Sequence, residues 1–196
     1  MERLREYLRE HGVVVGEGEF LALVRETFEG IAEKDLWAEP ELELPPEELE
    51  VLRSGGFSTT REALGSGDPV FRGALDFSAL IASALSTKQA AMMLGVDPSR
   101  IRQRLTGRPR SLFGVKRHGE WLLPRFQFSG KTEVPGISQL VPHLDPHLNP
   151  VAVARWFLSP NPDLVVDEGD GQPVSPRDWL VSGHSSEDVV RLAEGL

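Results

Sequence analysis

Apolar side chains recur at helical spacing along most of this chain. One stripe runs through Phe20, Val24, Phe28 and Ile31, and a second predicts a helix over 70–85. Two shorter helices, over 87–94 and 98–105, follow, and three more are predicted over 150–158, 176–180 and 186–196. The pattern predicts a mainly α protein.

Proline and glycine divide this pattern into four regions. Residues 1–66 form an acidic helical region, in which a short helix over 47–53 is ended by Gly55 and Gly56. Residues 67–130 form a second domain, 131–149 a linker rich in Pro, Gly and His, and 150–196 a C-terminal helical domain.

The segment 87–105 has the features of a helix-turn-helix. Ala90 and Ala91 are small enough for a second helix to cross closely, and Gly95 can adopt the positive φ that ends the first helix. Asp97-Pro98 supplies an N-cap followed by proline at the first helical position. We expect Val96, Ile101 and Leu105 to face the core of this motif.

A small β-hairpin is predicted after the second helix. Apolar stretches over 112–115 and 121–123 flank His118-Gly119, a pair suited to a two-residue turn, and Pro124 ends the second strand. Residues 116–118 would form the tip of this wing. The side chains expected to close the back of the motif are Phe113, Val115, Trp121 and Leu123.

The charge is distributed very unevenly. The whole chain carries a net charge of −9, which by itself argues against binding to phosphate. Residues 86–131, however, hold ten cations and only two anions, giving +8, so the remainder carries −17. A basic block inside an acidic chain is typical of an electrostatic footprint for nucleic acid, although it can also arise as a chance grouping of charges.

Within this block we expect Arg102 and Gln103 to contact base edges, since Arg with guanine and Gln with adenine form bidentate pairs. Phosphate contacts are expected from Lys88, Gln89, Arg108 and Arg110. The other candidate DNA-binding residues are Ser99, Arg100, Arg104, Lys116 and Arg117.

The string 85–105, followed by Trp-Leu-Leu-Pro-Arg-Phe at 121–126, resembles the winged helix-turn-helix of the MerR and excisionase group. The C-terminal segments 150–164, 173–183 and 187–193 resemble the toxin-binding domain of Xre/MbcA/ParS-type antitoxins. The matching positions are Trp156, Asn161, Leu164, Ser175, Pro176, Leu180, Val189 and Val190. This second resemblance implies packed helices and a RES-domain toxin, which degrades NAD, as partner.

The toxin-binding residues that the resemblance implies lie in the last three helices. They are Trp156, Asn161, Trp179, Leu180, Val189, Val190, Arg191 and Leu196, the last two nearest the toxin's cleft. Antitoxins of this kind commonly repress their own operon, which fits a DNA-binding middle third. A structural or protein-binding helical hairpin is the alternative for that middle third.

Several classes of function find no support in the sequence. The chain has no cysteine, which favours a cytoplasmic protein without disulfides or thiolate sites, and no apolar run of the length that a membrane span needs. His143, Asp145 and His147 occupy alternate positions, as metal ligands on one side of a strand would, but Pro142 and Pro146 predict a loop there. We expect no enzyme, no cofactor and no metal site.

The leading hypothesis is a homodimeric, DNA-binding transcriptional regulator that acts as the antitoxin of a type II toxin–antitoxin pair and represses its own operon. Alternatives are a stand-alone excisionase-like or architectural DNA-binding protein without a toxin, and an interaction adaptor.

Overall fold

The computed structural model describes residues 2–10, 12–33, 69–166 and 171–196. It is mainly α-helical with small antiparallel sheets, as predicted. The chain divides into two compact units, residues 1–10 with 14–82 and residues 11–13 with 83–196. The predicted short helix 47–53 lies outside the described residues.

The described part of the first unit consists of three helices: α1 (Glu2–Glu10), α2 (Glu17–Glu33) and α3 (Pro69–Ser83). The predicted stripe on α2 is buried at Phe20 and Val24. Between α2 and α3, the buried Ser78 hydroxyl donates to Thr27 Oγ1 at 3.2 Å. The apolar stripe of α2 is therefore buried at the two positions described, and a hydroxyl hydrogen bond joins α2 to α3.

The second unit begins with β1 (Leu85–Ser86), α4 (Thr87–Leu94) and α5 (Pro98–Thr106). Ser86 and Gln89 form a reciprocal capping box at the start of α4, and Gly95 ends that helix at φ 67°. Asp97 caps α5 by accepting from the Ser99 amide at 2.7 Å, with Pro98 in the first turn. The predicted helix-turn-helix is thus confirmed with its capping residues.

The predicted hairpin consists of β2 (Val115–Arg117) and β3 (Glu120–Leu123), and β1 pairs with the other edge of β3. His118 (φ 48°) and Gly119 (φ 82°) both have the positive φ of a type I′ turn. The first strand begins later than expected. Leu112 and Phe113 are buried in the loop before it, and the buried Gln127 side chain binds the Phe113 backbone there.

After β3 come a 3₁₀ turn (Arg125–Gln127), β4 (Phe128–Ser129), β5 (Thr132–Glu133), α6 (Ile137–Leu140) and a second 3₁₀ turn (Val141–His143). The helices α7 (Pro150–Leu158), α8 (Pro176–Val181) and α9 (Ser186–Ala193) then complete the unit. The three predicted C-terminal helices are therefore present, with their ends shifted by at most a few residues.

The segment 131–149 is not built as the predicted linker. It contains β5, α6 and a 3₁₀ turn, and it buries Val134, Ile137, Leu140, Val141 and Leu144. Prolines and glycines there shape turns between short elements rather than separating two domains. Residues 83–196 accordingly belong to one compact unit, whereas the helix predicted at the start of the 67–130 domain belongs to the other unit up to residue 82.

Contacts from the C-terminal helices explain this continuity. Arg177 of α8 donates to the carbonyl oxygens of Phe126 and Phe128, at 3.3 and 3.2 Å. The Phe126 ring lies between those of Phe113 and Phe157, with centroids 5.7 and 5.6 Å away. The base of the hairpin and helix α7 thus share aromatic packing.

Candidate nucleic-acid interface

Helix α5 has one buried and one exposed side. Ile101 and Leu105 are buried in a core formed with β1, α4 and β3, which includes Leu85, Ala90, Ala91, Leu112, Leu123 and Phe128. This packing leaves polar side chains exposed on the rest of α5, namely Ser99, Arg100, Arg102, Gln103 and Thr106. Four of these five belong to the predicted DNA-binding set. The apolar spacing of α5 therefore fixes which residues are available to a ligand.

Further exposed polar residues lie next to this helix in the chain. Lys88 and Gln89 are in the first turn of α4, Arg108 follows α5, and Lys116 is on the first strand of the hairpin. The Gln89 side-chain oxygen accepts from the Ser86 amide at 2.8 Å, so that side chain also stabilises α4. These three cations and one amide join the exposed polar residues of α5 as candidates for contact with DNA.

Arg104 differs from the exposed candidates because it is half-buried and bonded within the protein. Its guanidinium forms two hydrogen bonds with the Glu133 carboxylate, one from Nη2 to Oε2 at 2.6 Å, and Nε donates to the Ser111 hydroxyl at 2.9 Å. Hydrogen bonding to Glu133 holds the pKa of Arg104 above its ordinary value. The structure therefore gives Arg104 an internal role.

Arg110 and Arg117 are also only partly exposed. Arg110 donates from Nη2 to the Leu144 carbonyl, and burial lowers its pKa against the opposing charge of Asp145. Arg117 Nε lies 3.3 Å from His118 Nε2 at the tip of the hairpin. Arg110 thus joins the end of the helix-turn-helix to the 131–149 segment, a role that the sequence did not predict.

The prediction that Val96 faces the core is wrong. Its side chain is 41% exposed, and Met92 on α4 is 78% exposed. Met93, Leu94 and Trp121 pack against the core beside α5 instead. Val96 is the single residue between the C-cap Gly95, which has left-handed backbone geometry, and the N-cap Asp97, and its side chain is exposed at this turn.

The residues carried over from the antitoxin resemblance divide into three groups by their exposure. Leu180 and Val189 are buried at 1% and 0% exposure, which rules out direct contact with a partner in this conformation. Trp156, Asn161, Trp179 and Val190 are half-buried, while Arg191 and Leu196 are exposed. Trp179 stacks on His184 and donates to the Ser185 carbonyl at 3.1 Å, so its indole helps to shape the α8–α9 turn.

Glu133 and Gln127 are important residues that sequence reasoning missed. Glu133 lies in the segment predicted as a linker, and its partner Arg104 is 29 residues away, so spacing alone gives no signal. Gln127 is the one polar residue between Phe126 and Phe128, and a polar side chain inside a buried aromatic run is a detectable signal for a structural hydrogen bond.

Two kinds of feature are absent from the described residues. No group of three or more His, Asp or Glu side chains there could hold a metal ion. Among those residues, no helix is long and apolar enough to cross a membrane.

The geometry of residues 85–123 is that of a winged helix-turn-helix: two capped helices joined by a tight turn, followed by a hairpin. No protein-family model and no curated protein matches the chain. Among solved structures it is similar to an NMR structure of Rv2175c, with 23% sequence identity and a TM-score of 0.41 over 68% of this chain and 84% of that one.

Proposed function

We propose that this protein is a cytoplasmic transcriptional regulator that binds double-stranded DNA through α5 and the β2–β3 hairpin. The observation that carries the proposal is the exposed polar face of α5, on which Arg100, Arg102 and Gln103 lie opposite the buried Ile101 and Leu105. These side chains match the donors that read base edges in the major groove.

The dimensions of α5 suit this role. An α-helix with its side chains is about 10–12 Å in diameter and therefore fits the major groove of B-DNA, which is about 12 Å wide. The nine residues of α5 give it a length of about 14 Å. In this arrangement Arg102 and Gln103 contact bases. Lys88, Arg108 and Lys116 contact phosphates on either side and fix the helix in the groove without reading sequence.

The distribution of charge along the sequence supports this proposal. With +8 on residues 86–131 and −17 on the rest, phosphate is attracted to one segment and repelled by the others. A homodimer would place two such helices on a pair of half-sites, which increases the affinity of a small motif.

The test is fluorescence-anisotropy binding to a duplex from the region upstream of the protein's own reading frame, with a shuffled duplex as comparison, over a range of salt. Arg102→Ala and Gln103→Ala should each weaken upstream binding by about 5- to 150-fold, the cost of a lost bidentate pair, while changing shuffled binding little. Arg72→Ala, at an exposed arginine of α3, is the matched control. Unchanged affinity and preference in both variants would contradict base reading by α5.

An antitoxin role is the second candidate, and it adds a protein partner to DNA binding. Large apolar side chains are exposed in the C-terminal region, at Leu158, Val165, Val181 and Leu196, and these suit a protein surface. When a RES-domain toxin encoded beside this protein arrests cell growth, co-expression of this protein should restore that growth. Arg191→Glu should abolish that rescue without changing DNA binding, and toxicity in the presence of the wild-type chain would refute this role.

A further inference from the structure

The ion pair between Arg104 and Glu133 joins the proposed recognition helix to a different part of the fold. Arg104 lies in the last turn of α5, and Glu133 is on β5 of the β4–β5 hairpin. The side chains are 31% and 24% exposed, so both charges are largely removed from water. Two parallel hydrogen bonds define the direction of the guanidinium as well as its position.

Arg104 also collects backbone contacts that fix the end of α5. Its carbonyl oxygen accepts from the amides of Ser111 and Leu112, at 2.9 and 3.3 Å, and its Nε donates to the Ser111 hydroxyl. By contrast, the packing of Ile101 and Leu105 is apolar and has little directional preference. The hydrogen bonds of Arg104 therefore restrain the rotation of α5 about its own axis, which the apolar packing does little to define.

The β4–β5 hairpin is itself well anchored. Phe128 of β4 belongs to the core beneath α5, and the Val134 amide after β5 donates to the Gln127 carbonyl at 2.9 Å. The hairpin therefore holds the Glu133 carboxylate in a defined position, and that carboxylate in turn positions Arg104. Without Glu133, the guanidinium would be a fourth arginine able to reach DNA near α5, beside the exposed Arg100, Arg102 and Arg108.

We propose that Glu133 is a positioning residue that determines DNA specificity: it sets the orientation of α5 through Arg104 and withholds that guanidinium from DNA phosphates. The inference rests on the proposed DNA-binding function. Because phosphate contacts increase affinity for every sequence, keeping one cation paired lowers non-specific binding more than specific binding.

The experiment measures anisotropy with upstream and shuffled duplexes as a function of salt, for the full chain and three variants. Glu133→Gln frees Arg104, and R104Q/E133Q removes both charges. Glu187→Gln removes one exposed carboxylate from α9 and serves as the charge control. Circular dichroism and thermal unfolding establish that each variant is folded.

Glu133→Gln should tighten shuffled binding, lower the upstream-to-shuffled affinity ratio, and steepen the salt dependence by about 0.9 in log–log slope, as one added phosphate contact requires. Between 50 and 200 mM salt this amounts to about a threefold greater loss of affinity. R104Q/E133Q should return the slope to the wild-type value while the affinity ratio stays low. The control should keep the wild-type slope and ratio.

A wild-type slope and ratio in Glu133→Gln would overturn the inference while leaving the proposed function standing. If Glu133→Gln does not fold, R104Q/E133Q decides, and a wild-type affinity ratio in that variant overturns the inference. Absence of DNA binding by the wild-type chain would instead overturn the proposed function, and with it the role of Glu133.

Discussion

The buried Gln127 offers a sharp test of how the hairpin is held against the rest of its unit. Its side chain has 0% exposure and makes three hydrogen bonds. Oε1 accepts from the Phe113 amide at 2.9 Å, and Nε2 donates to the carbonyls of Phe113 and Pro124, at 2.7 and 3.1 Å. One amide side chain thus satisfies the backbone on both sides of β2 and β3.

Gln127→Leu preserves the size of the side chain but removes every one of these bonds. The Phe113 amide and carbonyl are then left buried without these partners, and each such group costs about 1–3 kcal/mol. We therefore expect the free energy of unfolding to fall by about 3 kcal/mol, a large part of the stability of a typical domain.

Urea unfolding followed by tryptophan fluorescence measures this change, and an unchanged m-value would show that the loss arises in the folded state. Gln139→Leu, at an exposed glutamine of α6, is the matched control and should change stability by no more than about 0.5 kcal/mol. A loss below about 1 kcal/mol in Gln127→Leu, or an equal loss in both variants, would refute the argument.

Three further predictions concern the winged helix-turn-helix. A Cβ on Gly114 would lie 2.6 Å from Leu105 Cδ2 and 3.0 Å from Trp121. Gly114→Ala should therefore destabilise the chain by about 1–3 kcal/mol in thermal unfolding. Gly73→Ala, in open space on α3, is the control and should not destabilise the chain. Hydrogen bonds from Ser99 hold the pKa of Asp97 below its ordinary value. The Asp97 carboxylate therefore stabilises the fold above pH about 4, and this contribution is lost as the pH falls. The difference in unfolding free energy between wild type and Asp97→Asn should shrink in acid, and a difference that stays constant with pH would contradict this. Lys116→Ala should weaken binding to upstream and shuffled duplexes equally and reduce the salt slope by about 0.9, whereas a selective loss for one duplex would show that Lys116 reads bases.

Local signals explain why much of the helix-turn-helix could be predicted. Asp97 with Pro98, the left-handed Gly95 and the His118-Gly119 turn each act through the backbone of a few neighbouring residues. Such preferences do not depend on the rest of the fold, so the helix ends and the hairpin turn follow from the sequence.

The segment 131–149 shows where such local signals mislead. Its prolines and glycines have the same composition whether they separate two domains or turn between short packed elements. Only the burial of residues such as Val134, Leu140 and Leu144 decides between these possibilities, and burial depends on what the rest of the chain brings into contact.

The sequence by itself determined the mainly α architecture, the capped helix pair, the hairpin turn and the basic character of residues 86–131. The tertiary structure alone decided which cations of residues 86–131 are exposed and therefore available to a ligand. Arg104 and Arg100 are one helical turn apart and chemically identical, yet one is paired with Glu133 and the other is exposed. Charge can be counted along a chain, but whether a charge is available depends on partners that are distant in sequence.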